Sequence, residues 1–241
     1  MCILLALARG SAAGELWVAA NRDERLDRAW EPPRVLRPDP PVFGGRDVLG
    51  GGSWFAVNLE AGFVVAVTNA RRGALPRERS RGALVVDLAA EHTVPEALAL
   101  LSEQDLTRYG LFNLFLGDSR ERWLATNHPF SRVEHVEAPV AAIGNDPLGA
   151  PGDRVMRAAE RAMSMRELPA DVLRADLERL LADHEGEDPL CRHGETYGTV
   201  CSSVVGLAGS EVAAYHFAAG PPCVTAFAGV ALPRHGRHGG R

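Results

Sequence analysis

The pattern of apolar and polar residues switches between a strand period and a helix period, and the switch points divide the chain into blocks. Residues 2–8 and 16–20 are short apolar runs around the turn-like Gly10-Ser11-Ala12-Ala13-Gly14, which predicts a hairpin of buried strands. Residues 54–59 and 63–68 repeat this arrangement around Glu60-Ala61-Gly62, after Gly50, Gly51 and Gly52. Helical spacing follows at 82–90 and 94–101, the second with Pro95 near its start, where proline is tolerated. Strands are predicted again at 111–117, 123–125, 133–136 and 140–143. Residues 154–165 and 171–182 return to the helical period, with Val155, Ala158 and Ala162 on one stripe and Leu173, Leu177 and Leu181 on the other. Three strands, at 199–207, 212–217 and 224–228, close the pattern. Between 31 and 41 the prolines Pro32, Pro33, Pro38, Pro40 and Pro41 exclude helix and interior strand, predicting an extended loop that forms a wall or lid.

The order is strands, helices, strands, helices, strands, joined by hairpins rather than strand–helix–strand crossovers. It predicts a layered α+β fold in which helix pairs cover stacked, mostly antiparallel sheets. Neither a repeat nor a linker interrupts it, so 1–241 is expected to form one domain, with the His-, Gly- and Arg-rich 234–241 as a disordered tail. A chain of 241 residues, 46% hydrophobic and 24% charged, has the composition of a soluble globular protein. The apolar run at 2–8 lacks a preceding basic stretch and breaks at Arg9, far short of the roughly 20 residues of a membrane span. Net charge is −5 with the arginines dispersed, which argues against nucleic acid as partner. Cys2, Cys191, Cys201 and Cys223 form no CxxC pair, and a reducing cytoplasm is the expected compartment. Oligomeric state is not legible.

Composition narrows the chemistry further. All 26 basic side chains are arginine, so lysine Schiff bases, pyridoxal-phosphate aldimines and phosphate-loop lysines are excluded. The glycines from Gly45 to Gly50 have phosphate-loop spacing, yet Gly51 occupies the lysine position. His184, Glu185, Asp188, Cys191 and His193 are all ligand types, but their spacing matches no structural zinc pattern and reads as a solvated loop; His235 and His238 are weaker still. No metal and no cofactor are therefore expected. Cys2 differs by its position. Removal of Met1 before a small residue leaves a thiol beside a free α-amine, whose reference pKa of about 7.7–8.0 suits a general base. The plainer alternative is a small hydrophobe buried in a strand.

Met1-Cys2-Ile3, Asn21-Arg22-Asp23-Glu24, Gly45-Arg46-Asp47 followed by Gly51-Gly52-Ser53-Trp54, Thr68-Asn69-Ala70-Arg71, Gly144-Asn145 with Pro151, and Tyr197-Gly198-Thr199 occur in this order over nearly the whole chain. Together they resemble the NRDE family, also called the transport-and-Golgi-organisation-2 family. The resemblance implies a four-layer αββα fold of N-terminal nucleophile hydrolases, related to choloylglycine hydrolase and penicillin V acylase. It implies Cys2 as nucleophile with its α-amine as base, and Asp23, or less well Glu24, holding the amine. Arg22 would orient carboxylate and thiol, while Asn69 and Asn145 would supply the oxyanion donor and the amine-positioning group. Asn127, in Thr126-Asn127-His128-Pro129, competes with Asn145 for that role. One departure stands out: Val200, then Cys201, follow Tyr-Gly-Thr where the family often has arginine. The implied activity is cysteine-dependent hydrolysis of a C–N amide bond in a small acyl substrate. The alternative is a carrier or chaperone holding haem or a lipid or acyl-CoA ligand in the same pocket.

Overall fold

The computed structural model describes residues 2–10, 14–70 and 78–233; residues 11–13 of the first turn, Arg71 and the predicted tail lie outside the described residues. β1 (Ile3–Arg9) and β2 (Glu15–Arg25) form the first hairpin, with Ile3 opposite Asn21 and Arg9 opposite Glu15. β10 (Val140–Ile143) flanks β1, and β11 (Tyr197–Ala208) flanks β2. β12 (Glu211–Ala218) and the short β13 (Ala228–Gly229) complete a six-stranded sheet in the order β10-β1-β2-β11-β12-β13. The second sheet runs in chain order: β3 (Trp30–Pro38), β4 (Pro41–Asp47), β5 (Phe55–Asn58), β6 (Phe63–Asn69), β7 (Phe112–Gly117), β8 (Arg122–Thr126) and β9 (Arg132–His135), every neighbouring pair antiparallel.

Strand alternation decides the layering, because successive side chains leave opposite faces of a sheet. Leu4 and Ala6 of β1 join Val18, Phe43, Phe55, Val57, Phe115 and Phe217 in a core between the two sheets. Ile3, Leu5 and Leu7 face the other way, against Val155, Ala158, Leu173, Leu177 and Leu180 of α3 (Asp153–Ser164) and α4 (Ala170–Leu181). Val42, Phe63, Val65 and Leu114 of the second sheet pack outward on Leu84, Leu88 and Leu101 of α1 (Arg81–Ala89) and α2 (Val94–Ser102). The result is a four-layer αββα sandwich whose β1 is buried on both faces, which is why its sequence is a continuous apolar run rather than an alternating one.

Local chemistry starts the helices on this frame. Ser80 caps α1 by accepting from Ala83 N, and its hydroxyl donates to Gly50 O at 2.9 Å. Thr93 accepts from Glu96 N while the Glu96 carboxylate accepts from His92 N, a reciprocal cap beside Pro95.

Three expectations need correction. The proline-rich stretch at 31–41 is not a loop. Most of it is β3, an edge strand whose pairing with β4 shifts register between Glu31 and Arg34, so that Pro32 and Pro33 need not donate to the ladder. β4 is a strand that the pattern does not predict, because Gly44 and Gly45 interrupt its short apolar run. The stretch at 224–228 is largely a turn, with Val224 N and Thr225 N both donating to Pro221 O and Val224 79% exposed.

The glycine turn before β5 sets where α1 begins. Gly52 has φ +79°, and a Cβ there would fall 2.1 Å from the carbonyl of Gly82, while Ser53 N donates to Gly82 O at 3.0 Å. Gly51 has φ +65° but open space around it. Gly51→Ala should therefore cost only the left-handed strain, about 1 kcal/mol, whereas Gly52→Ala adds backbone overlap and should cost more than about 2 kcal/mol. Chemical denaturation of the two variants checks this, and equal losses would sink it.

Candidate active site

Cys2 stands just before β1, at the end of the six-stranded sheet where β2 delivers Asn21-Arg22-Asp23-Glu24. Alternation splits this tetrapeptide between two faces. Asn21 turns towards α4, donating to Leu181 O and Leu190 O at 2.9 Å each and accepting from the Ser202 hydroxyl at 2.6 Å. It fastens strand to helix. Arg22 turns into the gap between the sheets, 3.1 Å from Asp47 Oδ2 on β4, with its guanidinium 4.3 Å from the centre of the Trp54 ring. Glu24 stays at the rim, 3.8 Å from Arg22 and 3.6 Å from Arg28.

Asp23 is buried on the helix side. Thr199 donates to its Oδ1 at 2.7 Å, and Arg154 Nη2, from the first turn of α3, lies 3.4 Å from Oδ2. Its backbone oxygen accepts from Tyr197 OH at 2.7 Å and receives the Cys2 thiol at 3.8 Å. A β-bulge makes this possible. Thr199 pairs with Asp23 and Cys201 with Arg22, so Val200 is the extra residue, and the hydroxyl is re-aimed at the carboxylate. Burial holds the Asp23 carboxyl above the usual carboxylate range, with Arg154 and Thr199 pulling against it.

Burial also raises the Cys2 thiol, and the Asp23 charge adds to the effect while Arg22 opposes it. A further cation stands at this end: Arg81, in the first turn of α1, interacts electrostatically with Cys2, Glu24 and Asp47 and donates to Leu111 O at 2.9 Å. Nothing in the pattern of the chain singles out Arg81 or Arg154, because an arginine in the first turn of a helix reads as solvated. Cys201 is buried beside Arg22, and burial raises its thiol well above the ordinary range.

Asn145 reaches the site from the end of β10, the edge strand that pairs with β1 in the same sheet. Leu4 pairs with Ile143, so the ladder carried on two residues brings Asn145 across from Cys2, and a Cβ on Gly144 would lie 3.7 Å from Cys2 O. The second sheet pins this turn: the Thr68 hydroxyl donates to Gly144 O at 2.5 Å, and Asn113 Nδ2 donates to Gly144 O and Asp146 O at 3.1 and 2.8 Å. Asn145 Nδ2 donates to the backbone oxygen of Asn69, at the end of β6. That bond fixes the amide orientation and leaves Asn145 Oδ1 buried without a partner among the described residues, as is Arg22 Nη1. Asn127 is otherwise committed, accepting from Phe112 N and donating to Leu106 O, and so fastens a loop.

Cys2, Arg22, Asp23, Asn69 and Asn145 thus converge on one end of the sheet pair. A cleft of about 530 Å³ lined by Arg9, Arg120, Arg122 and Arg166 opens at the far end of β1, some seven residues along the strand, and takes no part in this arrangement. Cys191 and His193 lie in the loop leading away from Leu190, beside Cys223.

Two stacked antiparallel sheets between helix pairs make up the four-layer αββα fold that N-terminal nucleophile hydrolases share. The family model for Transport and Golgi organisation 2 matches residues 1–215, and the chain belongs to that family. Among solved structures it is similar to the Caenorhabditis elegans N-acylethanolamine-hydrolyzing acid amidase ortholog, with a TM-score of 0.59 and 13% identity over 85% of this chain and 92% of that one. That likeness is one of fold. No curated protein matches the sequence.

Two outcomes follow from the buried charges. Arg154→Met removes the buried guanidinium beside the Asp23 carboxylate and should cost about 3–5 kcal/mol near neutral pH. Asp23 already has a raised folded pKa, and losing Arg154 raises it further; the deficit must then shrink as pH falls and the carboxyl is protonated, and grow as pH rises. Denaturation at pH 5 and pH 7 reads this, and a larger deficit at the lower pH contradicts it. For Cys2, the rate of iodoacetamide alkylation, followed by peptide mass, should still climb about tenfold per pH unit through the ordinary thiol range near pH 8.5. A plateau near neutrality would show a low-pKa thiolate instead.

Proposed function

We propose that the protein is an N-terminal cysteine hydrolase that cleaves the C–N bond of a linear amide bearing a small acyl group. The observation that carries this reading is the convergence of Cys2 with a buried Asp23–Arg154 pair and with the Oδ1 of Asn145, which has no partner among the described residues. In this reading Met1 is removed and Cys2 opens the mature chain. The α-amine takes the thiol proton as sulfur attacks the carbonyl carbon, and the resulting ammonium returns that proton to the departing amine. Water, deprotonated by the same amine, then hydrolyses the thioester, releasing a carboxylic acid and restoring the thiol.

The neighbours suit these steps. Asn145 offers an acceptor, which matches an ammonium and not an oxyanion, so the donor for the developing oxyanion falls to the side chain of Asn69. A raised Cys2 pKa keeps the thiol protonated until the amine takes its proton, and Arg22 and Arg81 offset the charge that then develops. Trp30 and Trp54 meet edge-to-face with centroids 6.1 Å apart, and Trp30 meets Phe217 at 5.9 Å, an apolar wall against which an acyl chain can lie. Val200 favours a second reading, since the resemblance implies arginine there: the same wall and guanidiniums would hold haem or a lipid or acyl-CoA ligand without turnover.

Incubation with a series of p-nitrophenyl acyl esters and the matching amides separates the two. Hydrolysis predicts an intact mass lacking Met1, an acyl adduct on Cys2 that Cys2→Ala abolishes, and a rate loss of about 10²–10³ in Asn69→Ala. Retained Met1, or absence of an adduct across the series, sinks the hydrolase. Saturable haem or acyl-CoA binding that survives Cys2→Ala would then establish the carrier.

A further inference from the structure

Cys191, His193 and Cys223 come from two loops about thirty residues apart in the chain, and the fold brings their ligand atoms together. Cys191 Sγ lies 3.5 Å from Cys223 Sγ, His193 Nε2 lies 3.1 Å from Cys223 Sγ, and Cys191 Sγ lies 3.8 Å from His193 Nε2. A tetrahedral ion bound at about 2.3 Å to sulfur and about 2.0–2.1 Å to nitrogen sets its donors about 3.8 Å apart for sulfur with sulfur and about 3.5 Å for sulfur with nitrogen. The three atoms therefore outline one face of such a tetrahedron. Hydrogen bonding alone explains the arrangement poorly, because thiols are weak donors and a single imidazole cannot satisfy two of them well. The spacing Cys-x-His with a remote cysteine matches no four-ligand pattern, which is why the sequence reads as a solvated loop.

We propose that Cys191, His193 and Cys223 bind one zinc-class divalent ion, with the fourth position facing solvent. Binding exchanges two thiol protons for two metal–sulfur bonds, leaving the two thiolates to neutralise the ion. Cys191 is buried and His193 exposed, so the ion enters from the solvent side. His184 neighbours His193, with ring centroids 5.9 Å apart, and its Nδ1 lies 3.2 Å from Ala182 O, an orientation that leaves Nε2 available.

The location gives the ion a role. Leu190 O, one residue from Cys191, accepts from both Asn21 Nδ2 and Arg154 Nη2, and Arg192 N donates to the hydroxyl of Thr199. The ion would clip the turn carrying Cys223 to the loop that supports Asp23 from behind. This inference does not depend on hydrolysis at Cys2.

The test uses the full chain, stripped with a chelator under reducing conditions and titrated with Co²⁺. One cobalt per chain should appear with the sulfur-to-cobalt charge-transfer band and intense visible bands of tetrahedral coordination, and Zn²⁺ should displace it. Cys223→Ser, in a half-buried turn, should weaken binding at least tenfold and abolish the zinc-dependent rise in melting temperature, as should His193→Ala; Cys2→Ala and Cys201→Ser should leave both intact. Absence of the bands, their loss in Cys2→Ala but not in Cys223→Ser, or a Cys191–Cys223 disulfide that persists in the reducing buffer would overturn the proposal.

Discussion

A carboxylate withdrawn from water at the end of β2 is the constraint around which this end of the molecule is organised. Burying Asp23 is costly, and a hydroxyl from β11 and a guanidinium from α3 arrive together to offset the cost. Each partner imposes structure elsewhere. The hydroxyl requires the bulge at Val200, and the guanidinium requires α3 to begin where Arg154 can also reach Leu190 O. The loop after α4 is therefore held by the same groups that hold Asp23. Strand, bulge, helix and loop form one polar assembly on the outer face of the first sheet.

The two sheets communicate at the same end. Arg22 crosses the gap to Asp47 and Trp54, while the turn at 144–146 is held by Thr68 and Asn113 of the opposite sheet. Both links are polar contacts at the margin of an otherwise apolar interface. Such contacts do little to drive association of the sheets, but they fix its register, because a one-residue slip would leave each group buried and unpaired.

Much of this was legible in the sequence, and the omissions share a cause. β1, β5 and β6 bury both faces, so their apolar runs are unambiguous, and the four long helices carry a clear 3.6-residue stripe. β4 is missed because Gly44 and Gly45 resemble turn residues, yet they are there for close approach: a Cβ on either would fall 2.3 Å from Phe55 O or from the Trp54 ring. The pair Val224-Thr225 has strand propensity, but the prolines before it set a turn. At the site, Arg22 and Asp23 can be read because neighbours along one strand reach both faces of a sheet. Arg81, Arg154 and Cys223 cannot, since their proximity to other groups is created by packing between elements distant in sequence. The orientation of the Asn145 amide likewise depends on a carbonyl 76 residues away.

The prolines of β3 have a consequence of another kind. A sandwich leaves strand edges exposed, and an exposed edge can recruit a strand from another molecule. β3 is the outer strand of the seven-stranded sheet, and Pro32, Pro33 and Pro38 remove three N–H donors from it, while Arg34 and Arg37 add charge. An incoming strand would find gaps in the ladder and side chains that resist desolvation. The composition that obscures this segment as a strand thus makes its edge a poor template for an incoming strand.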